Sequence, residues 1–396
     1  MPGTLVTKTW EHNPVLDAPA RYRRACRYEA FIPVALSALE LKLDATVVGA
    51  VSEAEQAIRD LNAVPANDLR AMGRLLLRSE SIASSKIEGM QLDARELARA
   101  EAKLDTGGRI SDTARDVIAN IDAMILAVDT AASVERFAER DILEIHQRLM
   151  ERATNRHVAG RFRTEQNWIG GNDYNPCGAE FVPPPPDEVP RLLDDLCHAI
   201  NDDLLPPVVQ AALVHAQFET VHPFHDGNGR TGRALIHVVL RRRKLAAHYV
   251  PPISVALGMA RDRYVAGLTA FRGDDVQGWI QYFADAALSS ARLATRYLHA
   301  VRALGERWKE QLRALPTAPR SDAAAWRLIE TLPGHPTITT AVAAAATSRS
   351  RPQVLLAIEQ LVAAGVLRPL SDNRRNMAWE AVGLLDLVVQ LELGAF

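Results

Sequence analysis

The segment His222–Arg233 combines the residue types that a phosphate-binding turn needs. It reads His-Pro-Phe-His-Asp-Gly-Asn-Gly-Arg-Thr-Gly-Arg. Gly227, Gly229 and Gly232 let backbone N–H groups approach a ligand without a Cβ in the way. A helical pattern begins inside the segment, so the positive end of that helix would face the same ligand. The segment therefore predicts an anion-binding turn.

The charged side chains of the segment indicate a polyphosphate and a proton acceptor. Arg230 and Arg233 are three residues apart and share one helix face, and two guanidinium groups there suit a polyphosphate. Asp226 offers a carboxylate for Mg²⁺, and a neutral His222 could accept a proton from a hydroxyl group. Taken singly, the histidine reads as structural and the aspartate as a turn residue. Their combination in one short segment favours chemistry.

The segment resembles the Fic-domain signature, His-x-Phe-x-(Asp/Glu)-Gly-Asn-Gly-Arg-x-x-Arg, at every specified position. The resemblance covers about residues 30–300. RYEAFIPVAL and IEGMQLDARE are similar to the region that precedes many bacterial Fic cores, and GRFRTEQNWIGG to AEFVPPPPDEV is similar to the family's target-docking flap. The resemblance implies transfer of AMP from ATP to a Ser, Thr or Tyr hydroxyl of a target protein, including this protein itself. ATP and Mg²⁺ are the implied ligands.

The resemblance also implies a role for each residue of the signature. His222 would be the base for the target hydroxyl, and Phe224 would anchor the turn in the core. Asp226 would bind Mg²⁺. Arg230 would hold the β-phosphate and Arg233 the γ-phosphate.

Further nucleotide contacts follow from the same resemblance. Members of the family that phosphorylate their target carry lysine at the position of Gly229, so glycine there favours AMP transfer. Tyr264 matches an adenine-side tyrosine, although plain helix packing explains it as well, and Phe271 departs from an asparagine of some relatives. His215 and Phe218 are read as core or supporting residues. The residues that would surround the phosphates are Gly227, Asn228, Gly229, Thr231 and Gly232.

Ser84-Ser-Lys-Ile-Glu-Gly89 resembles the family's inhibitory motif, (Ser/Thr)-x-x-x-Glu-(Gly/Asn). Ser84 and Glu88 are four residues apart and share a helix face. If Glu88 pairs with Arg233, the γ-phosphate loses its partner and meets a negative charge instead. The sequence thus predicts an inhibitory contact, although an exposed carboxylate at a helix end would explain Glu88 from spacing alone.

The flap stretch at 158–190 carries Gly, Asn and Pro residues around two short apolar patches, which favours a hairpin over a helix. Trp168, Ile169 and Phe181 are its apolar members. They would clamp a target segment that adds to the flap as an extra strand. A small satellite core beneath the hairpin explains them equally well.

Composition excludes several classes of protein. The 396 residues hold 46 Lys and Arg against 48 Asp and Glu, a formal net charge of −2, which excludes a basic nucleic-acid coat and an acidic disordered tail. Aromatics at 6% favour helices over a β-sandwich. Cys26, Cys177 and Cys197 are too scattered for a disulfide framework and read as free thiols of a reducing cytosol. No signal peptide or membrane span is expected, which predicts a cytoplasmic protein.

The expected fold is mainly α: a helical Fic core with a short β-hairpin flap, followed by a C-terminal winged-helix domain. The predicted divisions are 1–110, a helical region with the inhibitory motif; 111–312, the catalytic core; 313–322, a linker; and 323–396, the winged-helix region. Residues 1–30 read as an extended arm, and a helical pattern begins at Ile32. Asn67 or Asp68 would cap the inhibitory helix, and Gly89 would end it.

The C-terminal region predicts three helices followed by a hairpin. Ser350 caps the third helix, Gly365 ends it, and the hairpin strands lie on either side of the SDNRRN turn. Residues 318–396 hold seven arginines and seven acidic residues, and this neutral balance suits protein docking or dimerisation as well as DNA.

Three alternatives remain open at this stage. One is the reverse reaction, in which Glu88 orients water to remove AMP from a modified protein. Another is a DNA-binding regulator with a vestigial Fic core, in which Arg349 and Arg351 would start the recognition helix. A freely acting toxin fits less well with an intact inhibitory motif. Family analogy suggests a homodimer.

Overall fold

The computed structural model describes residues 3–64, 69–105, 107–370 and 377–396, apart from the side chains of residues 69–71. Most of these residues are helical, which confirms the predicted mainly α fold. The α-helices, in chain order, are α1 (Ala45–Asn62), α2 (Leu69–Ile87), α3 (Ala94–Asp105), α4 (Asp112–Asp129), α5 (Glu139–Met150), α6 (Val189–Asn201), α7 (Pro207–Val221), α8 (Asn228–Arg242), α9 (Ile253–Met259), α10 (Arg261–Arg272), α11 (Val276–Arg313), α12 (Ala324–Thr331), α13 (Thr340–Thr347), α14 (Arg351–Ala363) and α15 (Leu384–Glu392).

Strands form two small antiparallel sheets. The strands are β1 (Gly3–Trp10), β2 (Cys26–Pro33), β3 (Thr337–Thr339), β4 (Leu367–Pro369) and β5 (Ala378–Ala381). β1 and β2 make an N-terminal hairpin, and the second sheet has the order β3-β5-β4. In addition, a single bridge between Ile169 and Phe181 closes the flap, as expected of a short hairpin.

The N-terminal arm is folded, so the prediction of an extended arm followed by a helix from Ile32 is wrong. β1 pairs with β2 over its whole length, from Gly3 opposite Pro33 to Trp10 opposite Cys26. Proline disfavours a helical conformation in the residue before it, and the first α-helix begins only at Ala45. The side chains of β1 are exposed or half-buried, so the strand lacks the alternating burial that marks one in a sequence.

Cys26 and Cys177 form a disulfide, with their Cα atoms 6.3 Å apart, so the prediction of three free thiols is wrong. The hairpin and the flap meet only in the folded chain, where the rings of Tyr22 and Tyr174 stack with centroids 5.1 Å apart. Cys197 is free and buried. Cysteine content therefore gives no support for a reducing compartment.

The α7–α8 pair forms the centre of the larger core. Every residue of α7 after the first is buried, including polar ones such as His215 and Glu219, so the helix is enclosed by the core on all sides. Helices α1, α6, α10 and α11 surround it. The turn between α7 and α8 contains the glycine-rich segment, so the candidate site is built on the centre of the larger core.

Helix α2 contains the start of the predicted inhibitory motif and packs against α4, α8, α9 and α15. Its predicted caps at Asn67 and Asp68 lie outside the described residues. At the other end, Gly89 adopts a left-handed φ of 85°, and the Met90 N–H donates to the Ser85 carbonyl at 3.1 Å. This geometry confirms Gly89 as the residue that ends the helix.

The C-terminal region follows the predicted order of three helices and a hairpin. Ser350 caps α14 through a capping box with Gln353, and Gly365 follows with a φ of 72°. β4 pairs with β5 as expected, whereas β3 was not predicted. The SDNRRN turn at 371–376 lies outside the described residues. The winged-helix assignment and the domain divisions stay predictions.

The C-terminal region shares a hydrophobic core with helix α2. Leu75, Leu76 and Ile82 of α2 belong to the same buried cluster as residues of α12, α14 and α15. The indole N–H of Trp308 on α11 donates to the Val382 carbonyl at 3.1 Å. Among the described residues, no helix is both long enough and apolar enough to cross a membrane.

Candidate active site

The turn between α7 and α8 is held by its own backbone and one amide side chain. His222 ends α7 in a left-handed conformation with a φ of 49°, which is uncommon for a residue other than glycine. Gly227, at a φ of 78°, precedes the first turn of α8. The Asn228 side chain accepts from the Phe224 N–H and donates to the Phe224 carbonyl, both at 2.8 Å. These two hydrogen bonds hold the turn in place at the N-terminus of α8.

Two flap residues hold the backbone of the turn from outside. Arg163 Nε donates to the His222 carbonyl at 2.9 Å, and Asn167 Nδ2 donates to the same oxygen at 3.1 Å. Asn167 also donates to the Phe224 carbonyl at 3.0 Å. These bonds compensate for the unusual conformation of His222, because they satisfy a carbonyl that the end of a helix leaves free.

Phe224 is fully buried, as expected of an anchor for the turn. Its ring stacks on the His146 imidazole with centroids 3.6 Å apart. His146 Nε2 lies 3.0 Å from the Asp226 carbonyl, and its Nδ1 accepts from the Gly160 N–H at 3.0 Å. Burial lowers the pKa of His146 to about 4, so the ring is neutral and fixed at neutral pH.

Arg233 is buried inside the protein and its guanidinium is held by α2. Nε donates to Ser84 Oγ at 2.8 Å, and Nη2 donates to the Ser84 carbonyl at 2.9 Å and to Glu88 Oε1 at 2.7 Å. The Arg233 side chain is 1% exposed, whereas that of Glu88 is 38% exposed. The structure therefore brings together the two ends of the predicted inhibitory contact.

The carboxylate of Glu88 lies at the N-terminus of α8. A Cβ on Gly229 would overlap Glu88 Oε1, so only glycine leaves room for this carboxylate. Burial acts to raise the pKa of Glu88, but the pull of Arg233, Arg230 and His222 outweighs it and leaves the pKa below its ordinary value. Glu88 is therefore ionised, and its carboxylate lies where the N-terminus of α8 and Arg233 would bind another anion.

Further polar contacts fasten α2 to α8 on the same side. Glu80 and Ser84 lie four residues apart on α2, and Glu88 follows four residues later, just past the end of the helix. Glu80 lies 3.0 Å from the His237 ring on α8, and both side chains are fully buried. Glu80 also accepts from the backbone N–H of Ser254 at 2.8 Å. These contacts fix the position from which Glu88 reaches Arg233.

Arg230 is buried and only loosely paired. Among the described residues it forms one ion pair, with Asp226 at 3.8 Å, and its Nε lacks a hydrogen-bond partner. Its other neighbours are the sulfur atoms of Met90 and Met150, each 3.9 Å away. A buried guanidinium is costly unless a partner binds it, so this cation is arranged to receive an anion.

Asp226 is half exposed beside that cation. Its Oδ1 accepts from the Gly227 N–H at 2.6 Å, and its Oδ2 accepts from Asn155 Nδ2 at 2.8 Å. No group of three or more His, Cys, Asp or Glu side chains that could hold a metal occurs within the described part of the chain. A single carboxylate next to a phosphate site still fits Mg²⁺, which commonly uses one carboxylate together with substrate phosphates.

His222 is a neutral imidazole at physiological pH. Burial lowers its pKa to about 4, with additional effects of Arg272 and Arg163, while a hydrogen bond to the Glu219 backbone and the charge of Glu88 act in the opposite direction. Its Nδ1 lies 4.0 Å from Oε2 of Glu219. A neutral ring can accept a proton from a hydroxyl group, which is the chemistry expected of this residue.

The remaining predicted residues of the turn lie around this centre. Thr231 is fully buried, and a Cβ on Gly232 would come within 2.7 Å of Glu219 Oε1. The Tyr264 hydroxyl lies 2.8 Å from His215 Nε2. Tyr264 is 3% exposed, so it is packed inside the protein beside Arg233 rather than lining an open cleft. His215, Phe218 and Phe271 are fully buried as well.

The apolar flap residues contact the N-terminal hairpin. Trp168 meets Trp10 edge to face with centroids 5.7 Å apart, and Phe181 lies 6.2 Å from Phe31. Arg272 stacks over Phe181 at 3.8 Å. These contacts agree with a satellite core beneath the flap, and they leave its role toward a target segment as a prediction.

Several residues of the site were not found by sequence reasoning. They are scattered along the chain and carry no local signature that marks them. They are His146, Asn155, Arg163, Asn167, Glu219 and Arg272. A buried charge in a polar loop, such as Arg163 between Gly160 and Glu165, is a signal only after the fold is known.

Comparison with known proteins gives consistent matches. Residues 136–240 match the Fic/DOC family, and residues 48–129 match the N-terminal region of the Fic/DOC family. Protein adenylyltransferase fic-1 of Caenorhabditis elegans is 32% identical over 165 residues, which is 41% of this chain and 29% of that protein. Protein adenylyltransferase Fic of Drosophila virilis is 30% identical over 208 residues, which is 50% of this chain and 39% of that protein. The chain thus matches well under half the length of these relatives.

Solved structures show the same fold. A Fic family protein from Desulfovibrio desulfuricans G20 has a TM-score of 0.50 at 22% identity, over 87% of this chain and 98% of that one. Residues 134–508 of Fic-1 from C. elegans have a TM-score of 0.52 at 25% identity, over 65% of this chain and 74% of that one. The helical arrangement around the turn is therefore shared with these proteins.

Proposed function

We propose that this chain, in which residues 48–129 and 136–240 match the Fic/DOC family, transfers AMP from ATP to a hydroxyl group of a protein. The relatives that carry the name protein adenylyltransferase support this reaction. The single structural observation that carries the proposal is Arg230, a buried and only loosely paired cation beside the N-terminus of α8. A phosphate group would accept hydrogen bonds from the Arg230 guanidinium and from the free backbone N–H groups at the N-terminus of α8.

The triphosphate of ATP would lie along the first turn of α8. Backbone N–H groups from Gly227 to Gly232 would surround the phosphates, with Asn228 at the α-phosphate. Arg230 would bind the β-phosphate and Arg233 the γ-phosphate. Asp226 would hold Mg²⁺, which when bound would neutralise phosphate charge. Tyr264 would support this site by packing beside Arg233, and it would not contact the nucleotide itself.

His222 would take the proton that the target hydroxyl loses. The hydroxyl oxygen forms a bond to the α-phosphorus, the bond to the β-phosphate oxygen breaks, and pyrophosphate leaves. The proton goes to the imidazole, which is neutral because its pKa lies at about 4. Position and charge neutralisation supply most of the acceleration in such reactions. The target segment would lie against the flap at Trp168, Ile169 and Phe181.

Glu88 would hold this reaction in check. Its Oε1 accepts a hydrogen bond from Arg233 Nη2 at 2.7 Å, and the γ-phosphate would need the same guanidinium group. ATP could then bind only with its terminal phosphate displaced, which moves the α-phosphate out of line with the attacking hydroxyl. Ser84 supports the contact because its side chain and its carbonyl both accept from Arg233.

The decisive experiment follows the label of the nucleotide. A cell lysate is incubated with Mg²⁺ and the Glu88→Gly variant, once with α-labelled ATP and once with γ-labelled ATP. AMP transfer places the α-label but not the γ-label on protein. The matched control is the variant with both Glu88→Gly and His222→Ala, which should bind ATP in calorimetry and transfer nothing. Labelling by γ-ATP alone would instead identify phosphoryl transfer and reject the proposal.

Removal of AMP is a second candidate because Glu88 remains 38% exposed while it pairs with Arg233. A carboxylate that still faces the pocket could orient a water molecule toward an AMP ester. The protein modified by the Glu88→Gly variant is the substrate for this test. Wild type should release AMP from it, and a Glu88→Ala variant should not. Equal release by both would exclude a role for Glu88.

DNA binding and a homodimer remain further predictions for the C-terminal region. Arg351 begins α14, but the same helix presents Leu355 and Leu356 to solvent, at 39% and 56% exposure. Such side chains donate no hydrogen bonds to base edges. A mobility assay with random duplex at several salt concentrations tests this prediction, and the absence of a shift at low salt would reject it.

A further inference from the structure

Glu219 is a buried carboxylate directly behind the proposed base. It lies on α7, three residues before His222, and its side chain is 9% exposed. Oε2 is 4.0 Å from His222 Nδ1, and a Cβ on Gly232 would come within 2.7 Å of Oε1. Oε1 is buried and lacks a hydrogen-bond partner within the described residues. Neither the Fic signature nor the inhibitory motif includes this residue.

Charged and titratable groups from α7, α8, α10 and the end of α2 act on Glu219. His222 belongs to its own helix, Arg233 comes from α8, and Glu88 extends from the end of α2. Tyr264 and Arg272 come from α10. The two arginines favour the ionised carboxylate, and Glu88 opposes it.

A purely structural role explains this arrangement poorly. A buried carboxyl group without a full set of hydrogen bonds costs folding free energy, and a leucine or glutamine would pack between α7 and α8 at lower cost. The distance to the imidazole instead suits an electrostatic role. The positive charge that forms on His222 when it accepts a proton would lie near this carboxylate.

We propose that Glu219 is the positioning residue of His222: its carboxylate orients the imidazole and stabilises the imidazolium that forms during AMP transfer. This inference rests on the proposed function. Glu219 touches neither ATP nor the target. Its charge would offset those of Arg272 and Arg163, the two cations that disfavour protonation of His222.

The proposal predicts a specific dependence on pH. Burial raises the pKa of Glu219 to about 7, with Glu88 adding to the rise and Arg233 and Arg272 reducing it. The carboxyl group is thus neutral below about pH 7 and ionised above it. His222, with a pKa of about 4, stays neutral throughout this range. The rate of AMP transfer should therefore increase as the pH rises through about 7. This increase reports the ionisation of Glu219 and not that of His222.

The test compares Glu219→Gln with its parent, the Glu88→Gly variant, in which burial still dominates the environment of Glu219. Initial rates of AMP transfer are measured from pH 5.5 to 8.5 at saturating ATP. ATP itself titrates in this range, so the ratio of the two variants at each pH carries the result. We expect kcat of Glu219→Gln to fall at least tenfold at pH 8 and less than threefold at pH 5.5. The KM for ATP should stay within twofold.

Two further variants separate charge from packing. Glu219→Asp keeps the carboxylate and should restore part of the rate above pH 7. Glu55→Gln alters another buried carboxylate, which accepts from the Val208 N–H at the start of α7, and should leave the profile unchanged. A loss that is equal at all pH values in Glu219→Gln, or no rescue by aspartate, would overturn the proposal.

A second readout does not require transfer. Ring resonances of His222, assigned by their loss in His222→Ala, are followed by NMR from pH 5.5 to 8.5. The parent should show an inflection near pH 7 that Glu219→Gln lacks. An inflection that persists in Glu219→Gln would overturn the proposal. If the parent transfers no AMP at all, the proposed function fails, while this titration still decides the role of Glu219.

Discussion

Replacing Glu88 by glycine removes the carboxylate that competes for Arg233. The Oε1 to Nη2 distance is 2.7 Å, and the guanidinium keeps its two contacts with Ser84 after the change. The backbone at Glu88 already lies beyond the end of α2, so glycine there does not interrupt the helix. The substitution therefore alters the occupancy of the anion site with little effect on the helix that borders it.

The size of the effect follows from this ion pair. A hydrogen bond between charged groups contributes about 1.5–3 kcal/mol. Arg233 is buried, but the Glu88 side chain is 38% exposed, and solvent screening favours the lower part of that range. About 2 kcal/mol of competition then separates the closed site from one that admits the γ-phosphate. At about 1.4 kcal/mol for each factor of ten, transfer should rise roughly 30-fold.

Initial rates of α-labelled AMP incorporation, at one ATP concentration and equal protein, measure this increase. Glu96→Gly is the matched control, because Glu96 is a carboxylate near the start of α3 that contacts Asp93 and not the site. It should leave the rate of wild type unchanged. A Glu88→Gly rate within threefold of wild type, with intact ATP binding, would refute the inhibitory role of the pair.

Three further predictions concern the contacts that support the site. Arg163→Met removes the side-chain hydrogen bonds that Arg163 donates to the carbonyls of His222 and Val221, and melting should show a loss of roughly 2 kcal/mol in stability with transfer reduced at least tenfold. Lys86→Met breaks the 2.5 Å ion pair with the buried Glu392 on α15, and basal transfer by wild type should rise a few-fold as α2 loosens; an unchanged rate would show that α15 does not position the inhibitory helix. Cys26→Ser leaves Cys177 unpaired, and limited proteolysis should cut the N-terminal hairpin sooner than in wild type, whereas equal cleavage would show that packing alone holds it.

The glycine-rich turn was predictable because its residues are contiguous. His222 to Arg233 form a single local structure, and each member has a reason that can be read from neighbours a few positions away. The same holds for Gly89 and for the capped helix that begins after Ser350. Local chemistry of caps and turns leaves a mark on the sequence that does not depend on the rest of the fold.

The supporting residues were not predictable for the opposite reason. Arg163 lies 59 residues before His222, and Glu88 lies 145 residues before Arg233. Only the resemblance to Fic proteins pointed to Glu88, since a carboxylate at a helix end has no distinctive pattern. The pairing of Cys26 with Cys177 spans 151 residues and depends on how the hairpin meets the flap.

The N-terminal hairpin shows where periodicity fails. β1 exposes residues on both faces, so the alternation that predicts a strand is absent. Its partner β2 ends at Pro33, just where apolar residues begin to recur at helical steps. The start of a helical pattern is therefore a poor guide to the start of a helix when a strand precedes it.

Helix α2, which leads to Glu88, and the C-terminal region share one hydrophobic core. The apolar side of α2 is covered by residues such as Leu332, Leu384 and Val388, while its polar side reaches Arg233. Helix α2 thus packs against the C-terminal region on one side and against α8 on the other. A protein truncated after α11 would expose the apolar side of α2 to solvent, so the C-terminal region contributes to the position from which Glu88 reaches Arg233.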